Sequence, residues 1–357
     1  MDIRRSVRWS TLIFVLLATA CGGGDPGGGG GAQGCGAATG DEISVGLAYD
    51  IGGENDKSFN DAAKREVDNA IADGLVDEQN VTKIEANATG SNRDDNVVNL
   101  AEQGCDVIFG VGYAFSEGID LTAKEFPDVK FAVVDGYSQD ADNVTNLVFK
   151  EEEGSYLVGA AAAMKSEAGT IGFLGGQSGT GLIEKFQAGY EAGAKAIDPD
   201  IEILVEYIGS DTTAFFDATK GEALSAKMYD GGADVIFHAA GQSGLGLFKA
   251  AVEANALAIG VDSDQSLTAS EEQQELILTS MLKRVDTAVY DTIKEISEGE
   301  FTTGYQVFEL AQEGIDYAVN EFNDNEDLLS SEIQAQLDKF KQEILDGKIK
   351  IPTKPQG

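Results

Sequence analysis

Residues that form covalent frameworks and metal centres are scarce in this chain, which has three cysteines and one histidine among 357 residues. A disulfide-rich scaffold and a Cys/His zinc site are therefore excluded. Basic residues are also few: 25 Lys and Arg face 62 Asp and Glu, for a formal net charge of −37. Nucleic-acid binding and adhesion to an anionic bilayer through a basic face both need clustered Lys and Arg, so the charge balance excludes them.

The remaining composition is that of a folded protein. Hydrophobic residues make up 42% and charged residues 24% of the chain, which is ordinary for a globular protein. At roughly 100–200 residues per domain, the length predicts about two domains. The acidity itself indicates a solvated, salt-tolerant surface rather than a specific cation site.

The N-terminus has the pattern of a bacterial export signal. Arg4 and Arg5 precede an apolar run, residues 11–18, that is too short to cross a bilayer comfortably. The run ends in Leu17-Ala18-Thr19-Ala20-Cys21, which resembles the lipobox of bacterial lipoproteins. We therefore expect residues 1–20 to be removed and Cys21 to carry the lipid that anchors the protein outside the cytoplasm. An ordinary secretory signal with a coincidental cysteine is the alternative.

A glycine-rich segment follows, with eleven glycines between Gly22 and Gly40. Such a stretch cannot bury enough apolar surface to offset its ordering entropy, so residues 21–40 are predicted to form a flexible tether. Cys35 lies on this tether and Cys105 in an expected core strand. We expect no bridge between them, and Cys105 is interpreted as a small buried hydrophobic residue.

From residue 42 onward, short apolar segments alternate with helical patterns, and the alternation restarts after residue 150. This order predicts two Rossmann-like α/β lobes with parallel sheets covered on both faces. The expected strands span residues 43–49, 81–86, 106–111, 130–135, 170–175, 202–207, 233–238 and 258–262.

Polar and glycine residues follow these strands at their carboxyl ends, where doubly wound sheets bind ligands. We expect the strand ends of the two lobes to line one cleft. The candidate residues found in this way are Asp50, Tyr113, Asp135, Gly241 and Asp262.

The same segments resemble a known family. Residues 45–53 and the following Asp56-Lys57-Ser58-Phe59-Asn60 are similar to the opening of the basic membrane protein family, the purine-nucleoside-receptor-like substrate-binding lipoproteins of ABC importers. The resemblance continues, in the family's order, through residues 131–135, 231–241, 259–265 and 278–286.

The resemblance implies a type I periplasmic-binding-protein fold with two lobes joined by three chain crossings. The N-terminal lobe is expected to comprise residues 41–147 and 283–302, and the C-terminal lobe residues 148–282 and 303–357. The crossings are expected near residues 146–150, 279–283 and 302–305, and a C-terminal helix, residues 331–345, is expected on the second lobe.

The resemblance also implies a nucleoside ligand with its base stacked between Phe59 and Phe215, with Phe216 as the alternative to Phe215. Asn60 and Asp50 would bond the base edge. Ribose hydroxyls would be held by Asp135, Asp262 and Lys283, while Tyr113 and Gly241 complete the walls. No cofactor is expected.

Each position also has a structural interpretation. A Phe beside Asn in a loop is common at helix entries, and strand-end Asp residues often cap turns. His238 has no second catalytic group beside it and is interpreted as a strand-end residue near the cleft.

The function favoured by the sequence is a monomeric nucleoside-binding lipoprotein that closes on its ligand and delivers it to an ABC permease and its ATPase. The alternatives are the same fold with a sugar or other small polar ligand, and a nucleoside-processing enzyme.

Overall fold

Two six-stranded sheets organise the chain in the computed structural model, which describes residues 34–38, 42–139 and 141–355. The first sheet has the order β11-β5-β4-β3-β1-β2 and the second β12-β10-β9-β8-β6-β7. β12 runs antiparallel to β10, and the other pairings are parallel. The strands are β1 (Val45–Tyr49), β2 (Val81–Glu85), β3 (Val107–Val111), β4 (Lys130–Val134), β5 (Val144–Phe149), β6 (Thr170–Gln177), β7 (Glu202–Gly209), β8 (Val235–Ala239), β9 (Leu257–Asp262), β10 (Ile277–Lys283), β11 (Gly304–Phe308) and β12 (Ile315–Tyr317).

Helices connect the parallel strands and cover both faces of each sheet. Because the central strands are covered on both sides, β1, β3 and β8 are buried along their whole length, which explains their nearly continuous apolar sequences. The predicted α/β class with two parallel lobes is confirmed. The helices are α1 (Phe59–Ala72), α2 (Arg93–Glu102), α3 (Ser116–Glu125), α4 (Glu151–Lys165), α5 (Ile183–Ile197), α6 (Ala218–Asp230), α7 (Leu245–Ala254), α8 (Glu271–Gln274), α9 (Val285–Ser297) and α10 (Ser331–Leu345).

Three chain crossings join the sheets. The chain leaves the first sheet between β5 and α4, returns between β10 and α9, and leaves again between β11 and β12. The third crossing therefore lies after Phe308, beyond the expected residues 302–305, because Gly304–Phe308 pairs with β5 and extends the first sheet. Tyr305 and Val307 are about half exposed on this edge strand, so it lacks the apolar run that marks the central strands.

A disulfide joins Cys35 to Cys105, so the expectation of two unlinked cysteines was wrong. The short helix Cys35–Ala37 lies against the first sheet, where the Cys35 backbone N–H donates to Thr82 Oγ1 at 3.0 Å. The Gly34 N–H donates to the Gln79 carbonyl at 2.7 Å. These contacts bring the Cα atoms of the two cysteines to 4.7 Å, a normal separation for a disulfide. Residues 34–38, which belong to the segment expected to form a tether, are therefore fixed to the first lobe.

The export signal, Cys21 and the tether before residue 34 lie outside the described residues. Among the helices that the structure does describe, none is long and apolar enough to cross a membrane.

Candidate functional site

A cavity lies between the lobes at the carboxyl ends of both sheets. Counting the part that opens to solvent, it holds about 720 Å³ of space free of protein atoms. The cavity wall contains every candidate ligand-binding residue from the sequence: Asp50, Phe59, Asn60, Tyr113, Asp135, Phe215, Gly241, Asp262 and Lys283.

Aromatic rings from both lobes form the apolar part of the wall. Phe59 is the first residue of α1, and Phe215 ends a short helical turn after β7. Phe215 packs against Gly176, where a Cβ would overlap its ring, so the glycine makes room for the aromatic side chain. The neighbouring Phe216 is 46% exposed and is not part of the cavity wall.

Two aspartates contribute carboxylates to the cavity wall. Asp135 directly follows β4 and Asp262 ends β9, so they occupy comparable strand-end positions in the two sheets. Their φ angles are +60° and +65°, in the left-handed region that non-glycine residues seldom adopt. Backbone strain of this kind persists where the surroundings impose it and is concentrated at functional sites.

Lys283, at the end of β10, brings a positive charge to these carboxylates. Its side chain is 2% exposed, and its ammonium lies 2.6 and 2.7 Å from the two carboxylate oxygens of Asp135. Burial acts to lower the pKa of Lys283, but the carboxylates around it, Asp135 foremost, hold the pKa above its ordinary value. Burial raises the pKa of Asp135 to about 6, against the opposing effect of Lys283. Both groups are therefore charged at neutral pH.

A buried carboxylate shapes the loop that presents Phe59 and Asn60. Asp56 accepts backbone N–H bonds from Ser58 at 2.9 Å, Asn60 at 2.8 Å and Asp61 at 3.1 Å. It thereby satisfies the first amides of α1, which have no partner within the helix. Burial raises the pKa of Asp56 to about 7. Asn60 Oδ1 is buried without a hydrogen-bond partner in the protein, so it can accept a bond from a ligand.

Asp50 is held by an arginine that sequence reasoning did not identify. Arg93, the first residue of α2, donates to Asp50 Oδ1 through Nε at 2.7 Å and also through Nη2. Burial raises the pKa of Asp50, and the Arg93 charge opposes that rise. Arg93 Nη2 also donates to Thr212 Oγ1 of the second lobe at 3.0 Å.

Further hydrogen bonds cross the cleft. Ser58 Oγ donates to Asp262 Oδ2 at 2.5 Å. The Tyr113 hydroxyl donates to Gln177 Oε1, so this candidate residue contacts the opposite lobe while it lines the cavity. The structure therefore has the two lobes in contact, as in a closed binding protein.

His238 lies fully buried on β8. Its Nε2 lies 2.8 Å from Gln265 Oε1, which also accepts the Val261 backbone N–H, so Nε2 carries the proton. Nδ1 faces Gly244 without a partner. Burial, only partly offset by Gln265, lowers the pKa of His238 to about 4. A neutral imidazole in this position supports the second-lobe wall, in agreement with its interpretation as a strand-end residue.

We expect the imidazole to stay neutral well below pH 6. A histidine with an ordinary pKa near 6.5 in the unfolded chain and about 4 in the folded one favours the native state above pH 6.5. That contribution is lost as the pH falls from 6.5 through 4. Because the chain has one histidine, NMR titration of its ring signals needs no assignment. A midpoint near 6.5 in the folded protein would contradict the buried, neutral assignment.

The arrangement suits noncovalent capture of a flat, polar-edged molecule. Rings offer stacking faces, Asn60 and Asp50 offer acceptors, and the Asp135–Lys283 pair offers charged partners for hydroxyl groups. Within residues 34–38, 42–139 and 141–355, no group of three or more His, Cys, Asp or Glu side chains is arranged to hold a metal ion.

Comparisons with known proteins agree with this description. A family model described as "ABC transporter substrate-binding protein PnrA-like" matches residues 43–355. The chain is 32% identical to the ABC transporter nucleoside-binding protein BmpA of Lactococcus lactis, over 88% of this chain and 90% of that protein. It is also 32% identical to basic membrane protein A of Borreliella burgdorferi, over 89% and 90%. A crystal structure of an ABC transporter solute-binding protein from Aeropyrum pernix is 28% identical, with a TM-score of 0.75, and matches over 88% and 94%.

Two α/β lobes that enclose a cleft at their strand ends define a solute-binding protein of the type I periplasmic class. The chain belongs to the Bmp family of ABC transporter substrate-binding proteins, which confirms the resemblance found in the sequence. Members of this family bind solutes outside the cytoplasm for a transporter and are not enzymes.

Proposed function

We propose that this protein binds a purine nucleoside in the cleft and delivers it to an ABC importer. The observation that carries the proposal is the mixed lining of the cavity, which combines aromatic rings from both lobes with charged hydrogen-bonding groups. Phe59 and Phe215 supply the aromatic faces, and Asp135, Asp262 and Lys283 supply the charged groups. A nucleoside needs both kinds of group, because it joins a flat base to a ribose rich in hydroxyls.

The base lies between the two rings, and its edge meets Asn60 and Asp50. The unpartnered Asn60 Oδ1 would accept an N–H of the base, since a buried acceptor without a bond costs free energy. The ribose lies at Asp135, Asp262 and Lys283. Its vicinal hydroxyls donate to the carboxylates and accept from the ammonium. The relative from Lactococcus lactis carries the name nucleoside-binding protein, which favours the same ligand class here.

Closure is the working motion of the proposal. The ligand favours the closed state because it contacts both lobes at once, while an open form exposes one wall at a time. The bonds from Ser58 to Asp262 and from Arg93 to Thr212 form only when the lobes meet. The closed pair of lobes is the form that a permease and its ATPase partner recognise.

The N-terminal segments complete the proposal. Residues 1–20 are a signal peptide and Cys21 carries the lipid anchor, with the protein acting as a monomer. The N-terminal lobe then comprises residues 42–149 with α9 and β11, and the C-terminal lobe comprises α4 to β10 with the chain from Glu309 onward.

Isothermal titration of the purified mature protein with inosine, guanosine, adenosine and uridine tests the assignment. We expect at least one purine nucleoside to bind at micromolar concentration or below, with uridine weaker because its smaller base overlaps the rings less. Ribose and glucose are the controls. If a sugar binds tightly and no nucleoside binds below millimolar concentration, the nucleoside assignment is wrong.

A further inference from the structure

A buried ionic network lies behind Lys283, at the first chain crossing. Glu151, the first residue of α4, is fully buried and is not part of the cavity wall. Its Oε1 lies 3.1 Å from the Lys283 ammonium, and its Oε2 lies 3.0 Å from the Lys185 ammonium. Lys185 also donates to the Phe149 carbonyl at 3.2 Å. Lys185 therefore fixes the carboxylate that faces Lys283.

The Lys283 ammonium is consequently held from two directions. Asp135 contacts it on the cavity side, and Glu151 contacts it on the side of the crossing. The rings of Phe59, Phe149 and Phe186 surround it, with their centroids 5.3, 5.0 and 5.5 Å from Nζ. A lysine side chain has many rotamers when free, and this enclosure leaves one position for its charge.

An ammonium group has three N–H donors. Asp135 Oδ2 accepts one of them, and the Glu151 carboxylate attracts the ammonium from 3.1 Å as an ion pair without accepting a hydrogen bond, so a donor remains for a group in the cavity that Lys283 lines. Without the Glu151 charge, Asp135 alone would attract the ammonium, and its two oxygens already lie 2.6 and 2.7 Å away. The N–H groups would then turn towards Asp135, which changes the direction of the donor that faces the cavity.

We propose that Glu151 is a positioning residue for ligand recognition: it orients the Lys283 ammonium so that one N–H points at a ribose hydroxyl. The inference rests on the proposed nucleoside function and adds a residue outside the cavity to it. It makes Glu151 responsible for the part of the affinity that depends on the sugar, and not for stacking of the base.

Because Glu151 is proposed to affect the sugar and not the base, its effect can be measured by a quantity that general destabilisation of the fold leaves unchanged. A nucleoside and its free base share the stacking surface, but the ribose is present in one of them alone. The ratio of the dissociation constants of hypoxanthine and inosine therefore measures the sugar contribution. A variant that merely loosens the fold weakens both ligands and leaves the ratio unchanged.

The experiment is titration of inosine and hypoxanthine into the purified mature protein and three variants. We expect Glu151→Gln to weaken inosine on the order of tenfold, the size of a lost charge-assisted hydrogen bond, with hypoxanthine unchanged. Glu151→Asp keeps the negative charge, so its ratio of hypoxanthine to inosine dissociation constants should lie between those of Glu151→Gln and the original protein. Glu153→Gln is the matched control on the same helical turn, because Glu153 accepts the Leu310 backbone N–H and pairs with Lys150 but has no contact with Lys283. It should leave the ratio as in the original protein.

A folding defect can be separated from this effect. Glu151→Gln leaves the Lys185 charge half-buried without its partner, so the double variant Glu151→Gln/Lys185→Met removes both charges and is measured in parallel. The inference is overturned if either folded variant retains the original ratio, or if the original protein binds hypoxanthine as tightly as inosine. If inosine does not bind, adenosine with adenine or guanosine with guanine takes the place of inosine with hypoxanthine. If none of the three nucleosides binds, the nucleoside function itself fails, which is a different result.

Discussion

Replacement of Lys283 by methionine is expected to abolish tight ligand binding and to lower the free energy of unfolding by about 3–5 kcal/mol. The ammonium is almost completely buried and lies against Asp135 and Glu151. Its removal leaves the Asp135 carboxylate in a low-dielectric site without a counter-charge, whereas Glu151 keeps its ion pair with Lys185. Burial then raises the pKa of Asp135 further, because Lys283 no longer opposes the rise. The loss of stability should therefore be larger at pH 8 than at pH 5, where protonation relieves it.

Urea unfolding and ligand titration measure the two effects separately. Lys150→Met is the control, because Lys150 forms ion pairs with Glu153 and Glu309 but is 39% exposed, and surface pairs contribute at most about 1 kcal/mol. In the double variant Lys283→Met/Asp135→Asn, stability should partly return while binding does not. Wild-type affinity in Lys283→Met would refute the assignment of this lysine to the ligand.

Replacement of Phe59 or Phe215 by alanine should weaken a purine nucleoside by about 5- to 150-fold each, corresponding to roughly 1–3 kcal/mol for a base stacked on a ring. Replacing both should approach the product of the two losses, because one ring belongs to each lobe and each covers a different face of the base. Titration with inosine gives the fold-changes. The fold of both variants is checked by thermal unfolding.

The neighbouring Phe216 is the matched control. It has the same side chain one position along the chain but is 46% exposed and outside the cavity wall, so Phe216→Ala should change the affinity less than threefold. A larger loss for Phe216→Ala than for Phe215→Ala would assign the stacking face to Phe216. That outcome would require the segment between Thr212 and Asp217 to rearrange when ligand binds.

The fold was largely predictable because its central strands are buried on both faces and stand out as apolar runs between helical patterns. The C-terminal helix was also predicted with the bounds it has, Ser331–Leu345. Four strands were not recognised: Val144–Phe149, Ile277–Lys283, Gly304–Phe308 and Ile315–Tyr317. The first two overlap segments that were expected to be chain crossings. The third lies at an exposed edge with few apolar residues, and the fourth has only three residues, so these two lack the signal of a central strand.

The site residues at strand ends could be predicted from the sequence, whereas those near helix starts mostly could not. Strand position and family resemblance together brought nine residues to one cavity. Asp56, Arg93 and Glu151 were missed because each stands at or near a helix start, where polar residues are common for capping alone. Asp56 bonds only nearby amides, which is the ordinary pattern of a helix cap, whereas Arg93 pairs with Asp50 and Glu151 with Lys283, far along the chain. Such pairings arise from tertiary packing and leave no local pattern.

The cysteine bridge has a consequence for any laboratory that makes this protein. A bond between positions 35 and 105 forms in oxidising compartments and is rare in a reducing cytosol. Material expressed without export would carry free thiols at Cys35 and Cys105, whereas secreted material would carry the cross-link. Binding and stability values from the two preparations therefore describe different molecules. The free thiols in each preparation should be counted before the values are compared.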